Sequence, residues 1–466
     1  DDNEKRHFTK ADMERQLRDR GLKVFSLETH TPLCAFDMIG FALSYEMSYT
    51  NMLNMLDLAG IPLRSADRGA KDPIVVAGGP CVYNPEPIAP FVDAFIIGEG
   101  EEVNLELIEL YKEYKGLSKE AFLRHAAQIE GIYVPRFYET DAFGAVHPKE
   151  GSGAPARVRK RIVSDMDTAV YPTAPIVPFL SVVHDRMMME IFRGCTRGCR
   201  FCQAGMIYRP VREKTPDVLN EQAKCLFDST GYEEMSLTSL SISDYTQLDG
   251  LCDRLLSWTD ENMVSLSLPS LRVDNFSREL MDRIASVRSS SLTFAPEAGT
   301  QRLRDVINKN VREEEVLRTM KVAFDAGKTA VKLYFMEGLP TETHEDLEGI
   351  ARLAEKVVES YYENPNRPKG RQVTVTVSVS CFIPKPFTTF QWEPQDTMEM
   401  LREKQEYLKS KITNRHVRYQ HHDARVSLVE AVLARGDRRL SDALELGCRE
   451  GFRFDAWDEY FDYDKW

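Results

Sequence analysis

The sequence predicts an α/β fold with two successive parallel sheets. Three observations carry this. Continuous apolar runs of strand length alternate with segments at helical spacing, the pattern of strands buried on both faces. Several runs end in glycine, as chains do where they leave the carboxyl edge of a parallel sheet, the edge at which ligands bind. The alternation breaks off in a glycine- and proline-rich stretch and then resumes. The 466 residues suit two or three domains. Hydrophobic residues at 42% and charged residues at 29% exclude disordered and collagen-like classes.

In the first part, Lys23–Leu27 and Phe36–Leu43 read as strands. Asn51–Ala59 reads as a helix stopped by Gly60. Two buried-type strands follow, 73–77 before Gly78-Gly79-Pro80 and 93–97 before Gly98-Glu99-Gly100, then a helix over 101–114. Residues 116–180 connect the two parts. They include Gly151-Ser152-Gly153 and, at 157–161, four basic residues in five, read as a solvated strand or linker face. Beyond 181, strands are expected at 187–193, 234–241, 265–271, 291–295, 330–336 and 373–381, mostly separated by helix-length segments, with a short helix near 277–284. Six such units imply a partial (β/α)6 barrel. The end, 421–466, reads as a helical extension that turns aromatic and acidic.

The net charge of −13 disfavours broad phosphate binding. No run approaches the ~20 apolar residues of a membrane helix. The opening residues lack the apolar core of a signal peptide. A cytoplasmic protein without a membrane partner is expected. The absence of an initiating Met suggests a chain cut from a longer one, its first strand lost.

Three of the nine cysteines crowd into eight positions, in Cys195-Thr196-Arg197-Gly198-Cys199-Arg200-Phe201-Cys202. The spacing is C-x3-C-x2-C, directly after the first strand of the second sheet. Three thiolates on one loop suit a [4Fe–4S] cluster with one iron left open. Gly194, Gly198 and Gly205 would let the backbone wrap it, and Arg193, Arg197 and Arg200 would offset its charge. A structural zinc ion needs four closed ligands, and no fourth Cys or His lies near. The other six cysteines are scattered and read mostly as core residues.

C-x3-C-x-Phe-C in this position resembles the signature of the radical S-adenosylmethionine (SAM) enzymes over roughly 181–420. The resemblance implies that Cys195, Cys199 and Cys202 ligate the cluster and are catalytic. It implies that SAM chelates the open iron, and that reductive cleavage yields a 5′-deoxyadenosyl radical. Phe201 would lie near adenine. Gly338-Leu339-Pro340 resembles the family's adenine-approaching turn, and Glu297 resembles a carboxylate that meets SAM. The usual Gly-Gly-Glu after the second strand is replaced by Leu237-Thr238-Ser239-Leu240-Ser241, so hydroxyls such as that of Ser239 would serve instead. Arg302 and Arg304 could meet the SAM carboxylate or merely start a helix.

Gly78-Gly79 and Gly98-Glu99-Gly100 resemble the truncated Rossmann-like, cobalamin-binding domain (here 1–115) fused upstream in one subgroup. Those glycines would cradle cobalamin, although no D-x-H-x-x-G motif occurs here. The alternative is a degenerate docking domain. Methyl or methylthio transfer is the implied outcome, with flavodoxin or ferredoxin as electron donor. RNA is a conceivable substrate through the basic stretch 409–425, which otherwise reads as a solvated helix face. The rival from another class is a non-catalytic iron–sulfur redox or sensor protein.

Overall fold

The computed structural model describes residues 10–179, 182, 184–268 and 292–466. The chain forms two compact units, one of residues 1–163 with 429–466 and one of residues 164–428.

The first unit is built on a four-stranded sheet in the order β1 (Met38–Ala42), β2 (Ile74–Gly78), β3 (Ala94–Ile96), β4 (Ile132–Tyr133). β1, β2 and β3 run parallel, and β4 closes the edge antiparallel. β2 and β3 read as apolar runs because the helices on either face bury them: Val75, Ala77, Ala94 and Phe95 are inaccessible to solvent. Helices Tyr49–Ala59 and Gly100–Tyr114 match the expected spans to within two residues. Lys23–Leu27 is not a strand. Only an isolated bridge, Phe25 to Pro32, forms there, because the chain doubles back through His30 at φ +53° before a ladder develops. A small hairpin, β5 (Tyr138–Thr140) and β6 (Val146–Pro148), follows.

The end of the chain packs on this unit. Helix Leu440–Arg449 buries Leu444, and Arg64 Nε donates to Glu445 Oε2 at 2.5 Å. Arg438 donates to Glu86 at 2.5 Å and to the Tyr133 hydroxyl at 2.8 Å. Both arginines are fixed by specific acceptors, so the contact is directional and not merely apolar.

The second unit contains seven parallel strands among the described residues. β7 (Met187–Glu190), β10 (Glu234–Thr238) and β11 (Ser265–Ser267) form one sheet in the order β11-β10-β7. Between β7 and β10, β8 (Phe192–Arg193) and β9 (Arg212–Glu213) pair antiparallel. β12 (Leu292–Glu297), β13 (Ala330–Glu337), β14 (Thr374–Cys381) and β15 (Val417–His421) form the other sheet in that order. Residues 269–291, with the expected helix at 277–284 and parts of two expected strands, lie outside the described residues.

β15 is one strand more than the sequence reading placed. The stretch 417–421 was expected on a helix because its charges dominate. It alternates instead, with Val417 and Tyr419 turned to the apolar core and Arg418 and Gln420 exposed. The helices Glu313–Asp325, His344–Glu363 and Met398–Lys411 cover one face of this sheet, burying Val316, Met320, Phe324, Leu347, Ile350 and Leu408 against β13 and β14.

Candidate functional site

The three motif cysteines lie on the loop 194–211, whose base is pinched by the β8–β9 pair, Phe192 with Glu213 and Arg193 with Arg212. Gly194 is required at this pinch. Its φ is +95°, and a Cβ there would stand 2.6 Å from the Pro210 carbonyl oxygen. The loop is clamped from two sides. Arg200 N donates to the Ile307 carbonyl at 3.0 Å and Asn308 Nδ2 to the Gly198 carbonyl at 2.9 Å, from the segment that follows β12. Phe390 N donates to the Arg200 carbonyl at 3.1 Å and Gln203 Nε2 to the Pro386 carbonyl at 3.3 Å, so the loop after β14 closes the other side.

Cys195, Cys199 and Cys202 are free thiols of intermediate burial. Burial pushes the Cys202 thiol up. The Gly205 amide at 3.3 Å and Lys309 oppose this, and Cys195 and Glu297 add to it. Cys195, Glu297 and Lys309 therefore stand within electrostatic reach of Cys202. Among the described residues, no three Cys, His, Asp or Glu side chains converge as they do around one ion. The donor set fits the cluster: three soft sulfur ligands on one loop and no fourth.

Glu297 ends β12 at φ +68°, beyond a register shift in its pairing with β13. This left-handed conformation is uncommon for glutamate and collects at functional sites. Lys309 Nζ holds the carboxylate at 3.1 Å. Phe201 packs against a cluster of Ala298, Leu303, Ile307, Met336, Leu339, Phe382 and Phe390. The structure thus brings Phe201, the Glu297–Ala298 turn and Leu339 to one edge.

Gly338 sits at φ +74°, but the space its missing side chain leaves faces protein. A Cβ would lie 3.1 Å from Asp396 Oδ2 and from Leu401 Cδ2. Its amide donates to Glu342 Oε2 at 2.8 Å, and Glu342 and Asp396 both bind Lys404, at 2.9 and 2.7 Å. Pro340 follows buried Leu339 in this turn. Arg302 donates to the Thr341 carbonyl at 2.8 Å and pairs with Asp346, tying the turn to the β12 loop. Arg304 is buried and donates to the Ala298 carbonyl at 2.9 Å, bracing the turn after Glu297.

Ser239, beyond the end of β10, accepts from the Ser241 amide at 3.2 Å. The turn that follows is linked to the cysteine loop by Arg197, whose Nε donates to Asp244 Oδ2 at 2.8 Å. The arginines read as charge compensation have acceptors of their own: Arg193 binds Glu190 at 2.7 Å and Arg200 the Val306 carbonyl at 2.6 Å. Lys309, Asn308 and Asp244 were not picked out from sequence. Asn308 and Asn310, both at positive φ, mark a tight turn that paired asparagines can signal.

In the first unit, Gly79 has φ +105°, and a Cβ there would meet the Leu43 carbonyl oxygen at 2.5 Å. At Gly98 a Cβ would meet the Arg161 carbonyl oxygen at 2.3 Å, where Gly98 and Arg161 form a parallel bridge. At Gly78 a Cβ would face β3, 3.7 Å from the Ile96 carbonyl oxygen. The close approaches at Gly79 and Gly98 are made by the chain itself, whereas Gly78 meets its neighbours only at ordinary contact distance. Arg161 of the basic run also binds Glu102 and Glu106, at 2.7 and 2.6 Å.

Comparison with known proteins agrees with this arrangement. The family description of the radical SAM superfamily matches residues 189–354, and that of radical SAM proteins, N-terminal, matches residues 3–135. The chain belongs to the radical SAM superfamily. As a radical SAM enzyme it uses a [4Fe–4S] cluster and SAM. It is 32% identical over 431 residues to an uncharacterized protein of Methanocaldococcus jannaschii, covering 92% of this chain and 84% of that one. It is 22% identical over 301 residues to an uncharacterized methyltransferase of Pyrococcus horikoshii, covering 61% of this chain and 58% of that one. The solved structure of the cobalamin-dependent SAM radical enzyme OxsB shares the fold, with a TM-score of 0.50 and 12% identity over 91% of this chain. This radical SAM chain spans only 59% of the length of OxsB. Among the described residues, no helix is long and apolar enough to cross a membrane.

Proposed function

We propose that Cys195, Cys199 and Cys202 hold the [4Fe–4S] cluster, that SAM binds beside it at the edge marked by Phe201, Glu297 and Leu339, and that its reductive cleavage initiates methyl or methylthio transfer to a substrate. The observation that supports this best is the double clamp on the cysteine loop, from the segments after β12 and β14, which also carry Asn308 and Phe390 to it. When bound, the cluster supplies one electron to SAM, whose carbon–sulfur bond breaks to give methionine and the 5′-deoxyadenosyl radical.

The chain's own residues bind and orient. Phe201, half-buried on the cluster that holds Leu339, offers an apolar surface for adenine. Lys309, at 3.1 Å, keeps the Glu297 carboxylate aimed for the ribose or amino group of SAM. Arg302 and Asp346 hold the two strand-end turns together, so that neither contact moves without the other. Gly78 and Gly79, at the end of β2, are proposed to face cobalamin, and no step is assigned to it. A low-potential carrier such as flavodoxin or ferredoxin is proposed as the electron donor.

The test is anaerobic reconstitution with iron and sulfide, addition of SAM and dithionite, and chromatography. Methionine and 5′-deoxyadenosine are expected in equal amounts. A fully loaded, reduced protein that makes neither would overturn the reading in favour of an iron–sulfur carrier.

A further inference from the structure

The face of the β12–β15 sheet opposite its helices carries polar groups that the site described above does not use. The register sets Thr293, Lys332, Thr376 and Arg418 side by side, one from each strand. The next row toward the carboxyl edge holds Tyr334, Ser378 and Gln420, and the next Met336 and Ser380. Alternation fixes which face this is. The intervening Val331, Leu333, Phe335, Val375, Val377 and Val379 are buried under the helices, whereas Met336 packs in the cluster that includes Phe201. The polar rows therefore lie on the face that leads to the cysteine loop.

The face is open. Arg418 and Gln420 are exposed and Tyr334 is 39% exposed. Lys332 Nζ rests over the Tyr334 ring at 4.7 Å. Among the described residues neither Lys332 nor Arg418 has a carboxylate partner, although the chain as a whole carries a net charge of −13. Two cations in one register row, with no carboxylate partner among the described residues and a threonine hydroxyl between them, suit a bound anion. Adjacent strands lie ~4.8 Å apart, which puts the Lys332 and Arg418 backbones ~10 Å apart, a gap that both side chains can close. Four residues at ~3.3 Å each separate Lys332 from Met336, or ~13 Å.

We infer that this face is the substrate floor: Lys332 and Arg418 grip an anionic end of the substrate, a phosphate or a carboxylate, while its reacting carbon lies ~13 Å away beside Met336 and Phe201. The inference rests on the function proposed above. It implies an elongated, anionic substrate. Tyr334 and the half-buried Ser380 line the path between its two ends.

The experiment uses the full, cluster-loaded chain and titrates inorganic pyrophosphate and, separately, glutarate by calorimetry. At least one should bind the natural protein and bind at least tenfold more weakly to the Lys332→Met/Arg418→Met double variant. Whichever binds tells phosphate from carboxylate. If neither binds, or the variant binds equally well, the inference is overturned. It is also overturned if an oligoribonucleotide binds and neither small anion displaces it. A thermal melt and the iron content establish that the variant is folded and loaded. Its substrate-free cleavage of SAM should equal that of the natural protein. If the natural protein binds pyrophosphate but cleaves no SAM, the proposed function fails while the anion site stands.

Discussion

Lys309 reaches back over twelve residues to hold Glu297 at 3.1 Å, beside the Cys202 thiol. Both partners are largely buried, so the pair is screened less than a surface ion pair, and loss of either member strands a charge. Glu297→Gln should keep the shape of the turn while removing the charge. We expect full iron content with 5′-deoxyadenosine formation reduced at least tenfold, measured by chromatography after dithionite reduction. An undiminished rate would show that the carboxylate serves the turn alone.

The cysteines separate by position. Replacing Cys195, Cys199 or Cys202 with Ala should take iron from about four per chain to near zero, because a cubane loses its hold when one of three ligands goes. Cys225 is exposed and Cys252 is buried in the apolar core of the β7–β10–β11 sheet, so Cys225→Ala and Cys252→Ala should leave the iron unchanged. Iron and sulfide analysis of anaerobically purified variants decides this. Iron loss from Cys225→Ala would mean that a different set of thiols binds.

Much of this was legible in the sequence, for identifiable reasons. The strands β2 and β3 are continuous apolar runs buried on both faces, and β13 and β14 show the two-residue alternation of a strand with one apolar face. The cysteine motif is local, so its spacing survives folding. Lys23–Leu27 misled because a short apolar run does not reveal whether a neighbouring strand is there to pair with. β15 was missed because Arg418 and Gln420 lie on the face opposite the helices, and their polarity hid the alternation. The glycines at 78, 79 and 98 were visible, but not what approaches them. Leu43 and Arg161 come from distant segments, and a ligand would demand glycine just as a backbone does. The same ambiguity hid the neighbours of Gly338.

Burial pushes the Glu337 carboxyl from its ordinary 4.5 up to about 7, against the pull of Gln405, which donates to it at 2.6 Å, and of Cys381. Glu342 nearby raises it further, and Lys404 lowers it. The folded chain therefore holds this proton at pH values where the unfolded chain has released it. Stability falls as pH rises from about 4.5 to 7, and the full penalty, at most about 3 kcal/mol, is present above 7. Glu337→Gln keeps the acceptor for Gln405 and removes the charge. It should leave urea unfolding at pH 5 nearly unchanged and stabilise the protein at pH 8. Equal effects at both pH values would show that the carboxyl does not titrate in this window.

Glycine-to-alanine variants test what the close approaches are for. At Gly79 the added methyl would meet the Leu43 carbonyl oxygen at 2.5 Å, on a backbone at φ +105°. Neither the carbonyl nor the backbone can yield cheaply, since Leu43 N donates to the Gly78 carbonyl at 2.8 Å and Cys81 N donates to the Leu43 carbonyl at 3.2 Å. Gly79→Ala should therefore cost stability by roughly 1–3 kcal/mol in the absence of any ligand. Gly116 has a similar positive φ of +96°, but a methyl added there would have nothing within 4 Å, so Gly116→Ala carries the conformational cost without the collision. The difference in urea midpoint between the two variants isolates the contact with Leu43. Hydroxocobalamin added to the natural protein supplies the contrasting outcome. If it binds with a shifted visible spectrum, and Gly79→Ala loses the shift while its urea midpoint matches that of Gly116→Ala, then Gly79 faces a corrin. If Gly79→Ala is the less stable of the two and no uptake is seen, the glycine serves the sheet edge.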